Sequence, residues 1–176
     1  MKRDFFGIEL DFVIDGLTNS IRNTHTGDSF LTEVSRLTHK DLITVTKKKG
    51  WLFNWRIEFK DDRKEVYKLT IVHNITVIQG LISLTYEEDH VFINLLESAP
   101  FNLGKNKIYE GVAGNLVAYA CKLSFQKGFE GYVSFISKTV LVEHYKKTLG
   151  AYLVGGQRMI IPTVSSKVLI DKYFKT

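Results

Sequence analysis

The sequence predicts an α+β (α/β) fold, and three observations predict it. Apolar residues alternate with polar ones in several runs up to Ser98, the period of half-buried strands. Beyond Pro100 the period lengthens to that of two amphipathic helices with one short apolar run between them. Two final apolar runs are then separated by a glycine-rich turn, as in a hairpin. With 176 residues and 44% hydrophobic content, the chain suits a single domain with a proper core.

In chain order, Ile8, Leu10, Phe12 and Ile14 alternate through residues 6–14 and predict a strand that ends at Asp15 and Gly16. Residues 18–38 are polar, with a turn at Thr26, Gly27 and Asp28, and 29–37 suit either a short helix or an extended loop. Residues 43–45 predict a short strand. Trp51, Phe53, Trp55, Ile57 and Phe59 then alternate strictly, the clearest strand pattern in the chain. A charged connection at 61–64 leads to strands at 66–73, 76–86 and 89–98, joined through Asn74 and residues 87–89 as an antiparallel meander.

Val112, Leu116, Ala120 and Leu123 predict a helix over 111–127 that stops at Gly128. The apolar run 131–136 predicts a buried strand. A second helix over 139–149 has Ser137 or Thr139 as cap, Leu141, Tyr145 and Leu149 on one face, and Gly150 as its stop. A hairpin turning at Gly155 and Gly156 follows, and then a terminal helix capped by Ser165 or Ser166.

Composition narrows the function classes. The sequence has no apolar stretch of the length a membrane span needs and no signal-peptide pattern, so the protein is expected in the cytoplasm, away from membranes. One cysteine, Cys121, excludes an intrachain disulfide or a cysteine-based metal centre. The histidines show no ligand spacing, and no metal is implied. The net charge of +5 suits an anionic partner. The basic run Lys47–Lys49 beside Trp51 and Trp55 offers one nucleic-acid-binding reading, weighed against a solvated turn beside buried aromatics.

The strongest chemical signal is the stretch Gly111, Val112, Ala113, Gly114 and Asn115, small residues where a strand and loop feed a helix. The free amides and positive dipole end of a helix start favour phosphate, and glycine lets it approach the backbone. From GVAG to Gly128 and Phe129, this stretch resembles the coenzyme A motif of the GCN5-related N-acetyltransferase superfamily. Ile108 stands where that family has Arg or Gln. Residues 96–100, Leu-Glu-Ser-Ala-Pro, resemble the end of the family's fourth strand, and 138–151 resemble its next helix and Leu-Gly turn. The likeness covers about residues 66–164 and leaves 1–60 as an unmatched, β-rich N-terminal part.

The resemblance implies an acyl-CoA N-acyltransferase-like fold, a central mixed and mostly antiparallel sheet flanked by helices. It implies acetyl-CoA (coenzyme A) as the acyl donor and an amine of a small molecule or protein as acceptor. Leu96 and Ser98 would pair with the pantetheine arm, and residues 111–115 would hold the phosphates. Glu97 is the implied base and Tyr145 the implied acid, with His144 as substitute. Tyr145 stands five residues before Gly150, one further than the family pattern, with Lys146 in the usual place. A non-catalytic module of the same fold that binds acyl-CoA or a partner is the alternative, and a homo-oligomer is compatible with either.

Overall fold

The computed structural model describes residues 8–16 and 20–174. Its elements run β1 (Ile21–Asn23), β2 (Ser29–Phe30), β3 (Thr32–Arg36), α1 (Trp55–Lys60), β4 (Glu65–Ile71), β5 (Gly80–Tyr86) and β6 (Val91–Ser98). They continue with β7 (Tyr109–Glu110), α2 (Val112–Gln126), β8 (Val133–Ile136), α3 (Val142–Leu149), β9 (Tyr152–Gly155), β10 (Arg158–Ile161) and α4 (Thr163–Tyr173). A seven-stranded sheet has the order β3-β4-β5-β6-β8-β10-β9, antiparallel throughout except for β6 and β8. A smaller sheet, β2-β1-β7, delivers the chain to the start of α2. No helix among the described residues is long and apolar enough to cross a membrane.

The core lies between the sheet and α2. Leu69, Leu81, Leu84 and Ile93 of the sheet and Leu116, Val117 and Ala120 of α2 are fully buried. The sequence marks one apolar stripe on α2, yet the helix is buried nearly all round because α4 covers its other side. Gly114 permits that cover: a Cβ there would overlap the hydroxyl of Tyr173. Its lack of a Cβ therefore serves the contact between two helices.

The clearest predicted strand is a loop and a helix. Trp51 to Asn54 are irregular, and α1 begins at Trp55 because the Asn54 side chain accepts from the Arg56 amide as an N-cap. The apolar alternation also contains the spacing i, i+4, and the helix uses that spacing to turn Trp55 and Phe59 toward the core. Residues 43–45 form no strand either; a 3₁₀ turn spans Lys40–Ile43 and leaves Ile43 exposed. The segment 29–36, compatible with helix or loop by sequence, forms strands β2 and β3.

Capping differs as well. Leu141 precedes α3 and Pro162 precedes α4, neither with a side-chain cap. Ser165 and Ser166 lie inside α4, where their hydroxyls donate to the carbonyls of Gly150 and Gly131. The stops are as expected, with Gly150 in the left-handed region at φ 65° and Gly128 at φ 83°. Of the predicted first strand, residues 6 and 7 lie outside the described residues. Residues 8–16 form no strand: among the described residues they make one bridge, from Leu10 to Ser137.

Candidate functional site

A bulge opens a wedge in the sheet. The parallel ladder joins Val91 to Val133 and Phe92 to Ser134 and then stops, although β6 continues to Ser98. The register between β5 and β6 shifts at this point, Ser83 facing Leu95 while Leu84 faces Ile93, so Asn94 is the extra residue. A bulge bends its strand and inverts the backbone alternation that follows. The Ala99 amide donates to Gln79 on the β5 side, so in the alternation of an antiparallel ladder the backbone groups of Leu96 and Ser98 point the other way, into the wedge. Leu96 is buried and Ser98 half-buried.

The start of α2 closes one end of this wedge. Gly111 sits at φ 92°, a conformation that favours glycine, and its amide donates to Asp15 Oδ1 at 2.9 Å. Lys107 Nζ donates to the other oxygen, Asp15 Oδ2, also at 2.9 Å. Val112, Ala113, Gly114 and Asn115 are buried. Asn115 accepts from the Thr32 hydroxyl, and its Nδ2 has no partner among the described residues. The loop before the turn is held by Asn102, whose side chain bonds Gln79 and the Tyr109 amide.

Three side chains were expected to carry chemistry, and every one has its polar atom engaged. Glu97 is buried and accepts from the amides of Leu52 at 2.6 Å and Phe53 at 3.3 Å and from Trp55 Nε1 at 2.8 Å. It ties residues 51–55 to the end of β6. Tyr145 is fully buried, its ring against Phe12 and Phe135, and its hydroxyl donates to the Phe12 carbonyl at 2.5 Å. Burial pushes its phenol pKa well up, so it stays protonated at neutral pH. His144 Nε2 accepts from the Ile14 amide at 3.0 Å, and burial holds its pKa below the usual value. Tyr145 and His144 thus both face residues 8–16.

Between those residues and the end of β6 lies a cavity of about 340 Å³, bordered by Phe12, Asp15, Leu52, Glu97, Ser98 and Lys107 among others. Asp15 and Lys107 were not singled out from the sequence. Lys107 does have a signal, a lysine in the glycine-containing loop before the small-residue turn, whereas Asp15 has none beyond ending an apolar run. Trp51 and Trp55 are buried, so they offer no stacking platform beside Lys47–Lys49. Cys121 is fully buried and its thiol is pushed up to about 12, which leaves it unreactive.

No family model matches the sequence, and a comparison with curated proteins finds no match either. Solved structures do match. A chimera of the spermidine N-acetyltransferase from Vibrio cholerae and hSSAT superposes with a TM-score of 0.55 at 15% identity, covering 77% of this chain and 98% of that one. The ribosomal-protein-S18-alanine N-acetyltransferase from Escherichia coli gives 0.54 at 12% identity, covering 76% and 94%. This chain has the GCN5-related N-acetyltransferase fold. The Vibrio cholerae spermidine N-acetyltransferase in complex with CoA and spermine has the same fold, with a TM-score of 0.50 at 14% identity over 77% of this chain and 98% of its own. Within the acetyltransferase fold of this chain, the parting of β6 from β8 and the turn into α2 lie side by side.

Proposed function

We propose that the protein is an acetyl-CoA-dependent N-acyltransferase that moves an acetyl group to an amine of a small molecule or a protein. The observation that carries this function is the pair of donors at the mouth of the wedge. The Gly111 amide and Lys107 Nζ together hold one carboxylate, so the start of α2 already binds an anion. Coenzyme A fits such donors: Gly111 and Lys107 would hold its phosphates, with the small residues Ala113 and Gly114 and the side chain of Asn115 behind them. The wedge-facing backbone of Leu96 and Ser98 would pair with the pantetheine arm as an added strand does.

Acetyl-CoA supplies the activated acetyl group. The chain supplies a proton donor and a proton acceptor on one wall. Tyr145 holds its proton at neutral pH and delivers it as a hydrogen bond into the wedge, the property needed of an acid. His144 is neutral there and presents Nε2 as an acceptor, the property needed of a base toward an ammonium. Glu97 positions the 51–55 wall of the cavity through its three donors.

Thermal shift and calorimetry with acetyl-CoA test this function, followed by turnover with a panel of amines. Ligand at about 100 times its dissociation constant adds roughly 2.7 kcal/mol of stability. No stabilisation at millimolar acetyl-CoA, in both the native chain and an Asp15→Ala variant, would sink the cofactor assignment. A second reading, a non-catalytic module of this fold, is favoured by the entry of residues 8–16 into the wedge. Binding of acetyl-CoA without turnover on any amine would establish it.

A further inference from the structure

Residues 8–16 run through the wedge as a peptide ligand would. The backbone of β8 that faces β6 belongs to its even-numbered residues, since Tyr132 accepts from Val91. Where β6 departs, Leu10 takes over that same edge: its amide donates to Ile136 at 2.7 Å and its carbonyl accepts from Lys138 at 3.0 Å. Leu10, Phe12 and Ile14 then turn their side chains into the core, with 2%, 8% and 6% exposure. Along the way the segment occupies the Tyr145 hydroxyl and His144 Nε2, and it ends with Asp15 on the Gly111 amide and Lys107. The Tyr173 hydroxyl donates to the next carbonyl, Gly16, and completes the cover over the turn.

We infer that residues 8–16 are an intramolecular competitor of acyl-CoA, a strap that must leave the wedge before the cofactor can enter. This rests on the acyl-CoA function proposed above. Two chemically different parts of one ligand are imitated in order along one peptide, and a third is approached. Its backbone lies in the wedge on the β8 edge, across the cavity from the Leu96 and Ser98 edge where pantetheine would run. A carbonyl oxygen sits on the Tyr145 donor. A carboxylate spans the two donors suited to phosphate. A packing accident would satisfy one of these subsites; the strap satisfies two and borders the third.

The strap is also built to detach without unfolding the sheet. Among the described residues its one ladder-type pairing with the sheet is the Leu10–Ser137 bridge, its other ties being side-chain contacts, and its side toward the end of β6 meets the cavity. Among the described residues no backbone hydrogen bond joins it to β6. The pairings among the seven strands do not run through it. Seated, it keeps the acid, the base and the phosphate donors occupied, so the protein is self-inhibited.

Coenzyme A binding to the full chain, measured by calorimetry, tests the strap with two variants. Asp15→Ala removes the carboxylate that competes at Gly111 and Lys107, and coenzyme A should bind at least tenfold more tightly than to the native chain. Leu10→Cys with Ser137→Cys joins the two bridge partners by a disulfide. The oxidised form should lose coenzyme A binding by a hundredfold or more and regain it on reduction. Equal binding to the oxidised and reduced forms overturns the strap while leaving the cofactor assignment intact. If coenzyme A binds none of the native chain, Asp15→Ala and the reduced double variant, the cofactor assignment fails and the competition fails with it.

Discussion

Replacing Glu97 by Gln separates a structural carboxylate from a catalytic one. In the native chain its two oxygens receive three donors, Leu52 N–H on Oε2 and Phe53 N–H with Trp55 Nε1–H on Oε1. Glutamine has one carbonyl oxygen. If that oxygen keeps the Oε1 position, the new amide group points its own hydrogens at the Leu52 amide, which loses its acceptor. A hydrogen bond to a charged group contributes about 1.5–3 kcal/mol, and an abandoned buried donor adds about 1–3 kcal/mol of desolvation. Part of that is relieved because Leu52 is exposed and water can reach its neighbourhood. The net loss should be about 3 kcal/mol, and at roughly 2–4 °C per kcal/mol for a chain of this size the melting temperature should fall by about 6–12 °C. Differential scanning calorimetry of Glu97→Gln against the native protein gives the answer. A melting temperature within about 2 °C of native, with acetyl transfer abolished, would refute the tether and return Glu97 to the role of base.

Two further outcomes follow from packing and protonation. Gly114→Ala should lose roughly 1–3 kcal/mol by overpacking against Tyr173, and adding Tyr173→Leu should recover part of it; unchanged stability of the single variant in a denaturant melt would refute the close approach of α2 and α4. For His144, burial lowers the folded pKa below its ordinary 6.5, so the unfolded chain takes up the proton first as pH falls. The stabilisation by the neutral ring is full above 6.5 and is lost as the pH drops from there through the lower folded value. Urea unfolding of the native chain at pH 7.5 and pH 5 should therefore show a loss that shrinks in His144→Gln; the same pH dependence in both proteins would remove His144 as its source.

Much of this was legible from residue order. The meander β4-β5-β6 and helix α2 have runs long enough for their periods to be unambiguous, and glycine ends α2 and α3 where backbone sterics favour it. The resemblance to the acetyltransferases lay in that same region. Trp51 to Phe59 misled because apolar residues at every second position satisfy a strand and also satisfy i, i+4; the N-cap at Asn54 and the buried tether of Trp55 Nε1 to Glu97 decided for the helix. Periodicity counts which residues are apolar, and it cannot see a hydrogen bond across forty-two positions.

Residues 8–16 show the same division most plainly. Their alternation correctly predicted that Leu10, Phe12 and Ile14 would be buried, whereas Ile8 is exposed and the segment forms no strand. What they are buried against was not in the pattern. A bulge at Asn94 parts β6 from β8, and the space it makes is entered by a segment more than a hundred residues away from His144 and Tyr145 in sequence. The sequence by itself determined the elements of the β4-β5-β6 meander and the helices that follow, the small-residue turn at Gly111 and the polar groups Tyr145 and His144, because local backbone preference and hydrophobic period are carried by neighbours. Only the tertiary structure decided that Asp15 and Lys107 meet at that turn, because a site assembled from distant segments exists only once the chain has closed on itself.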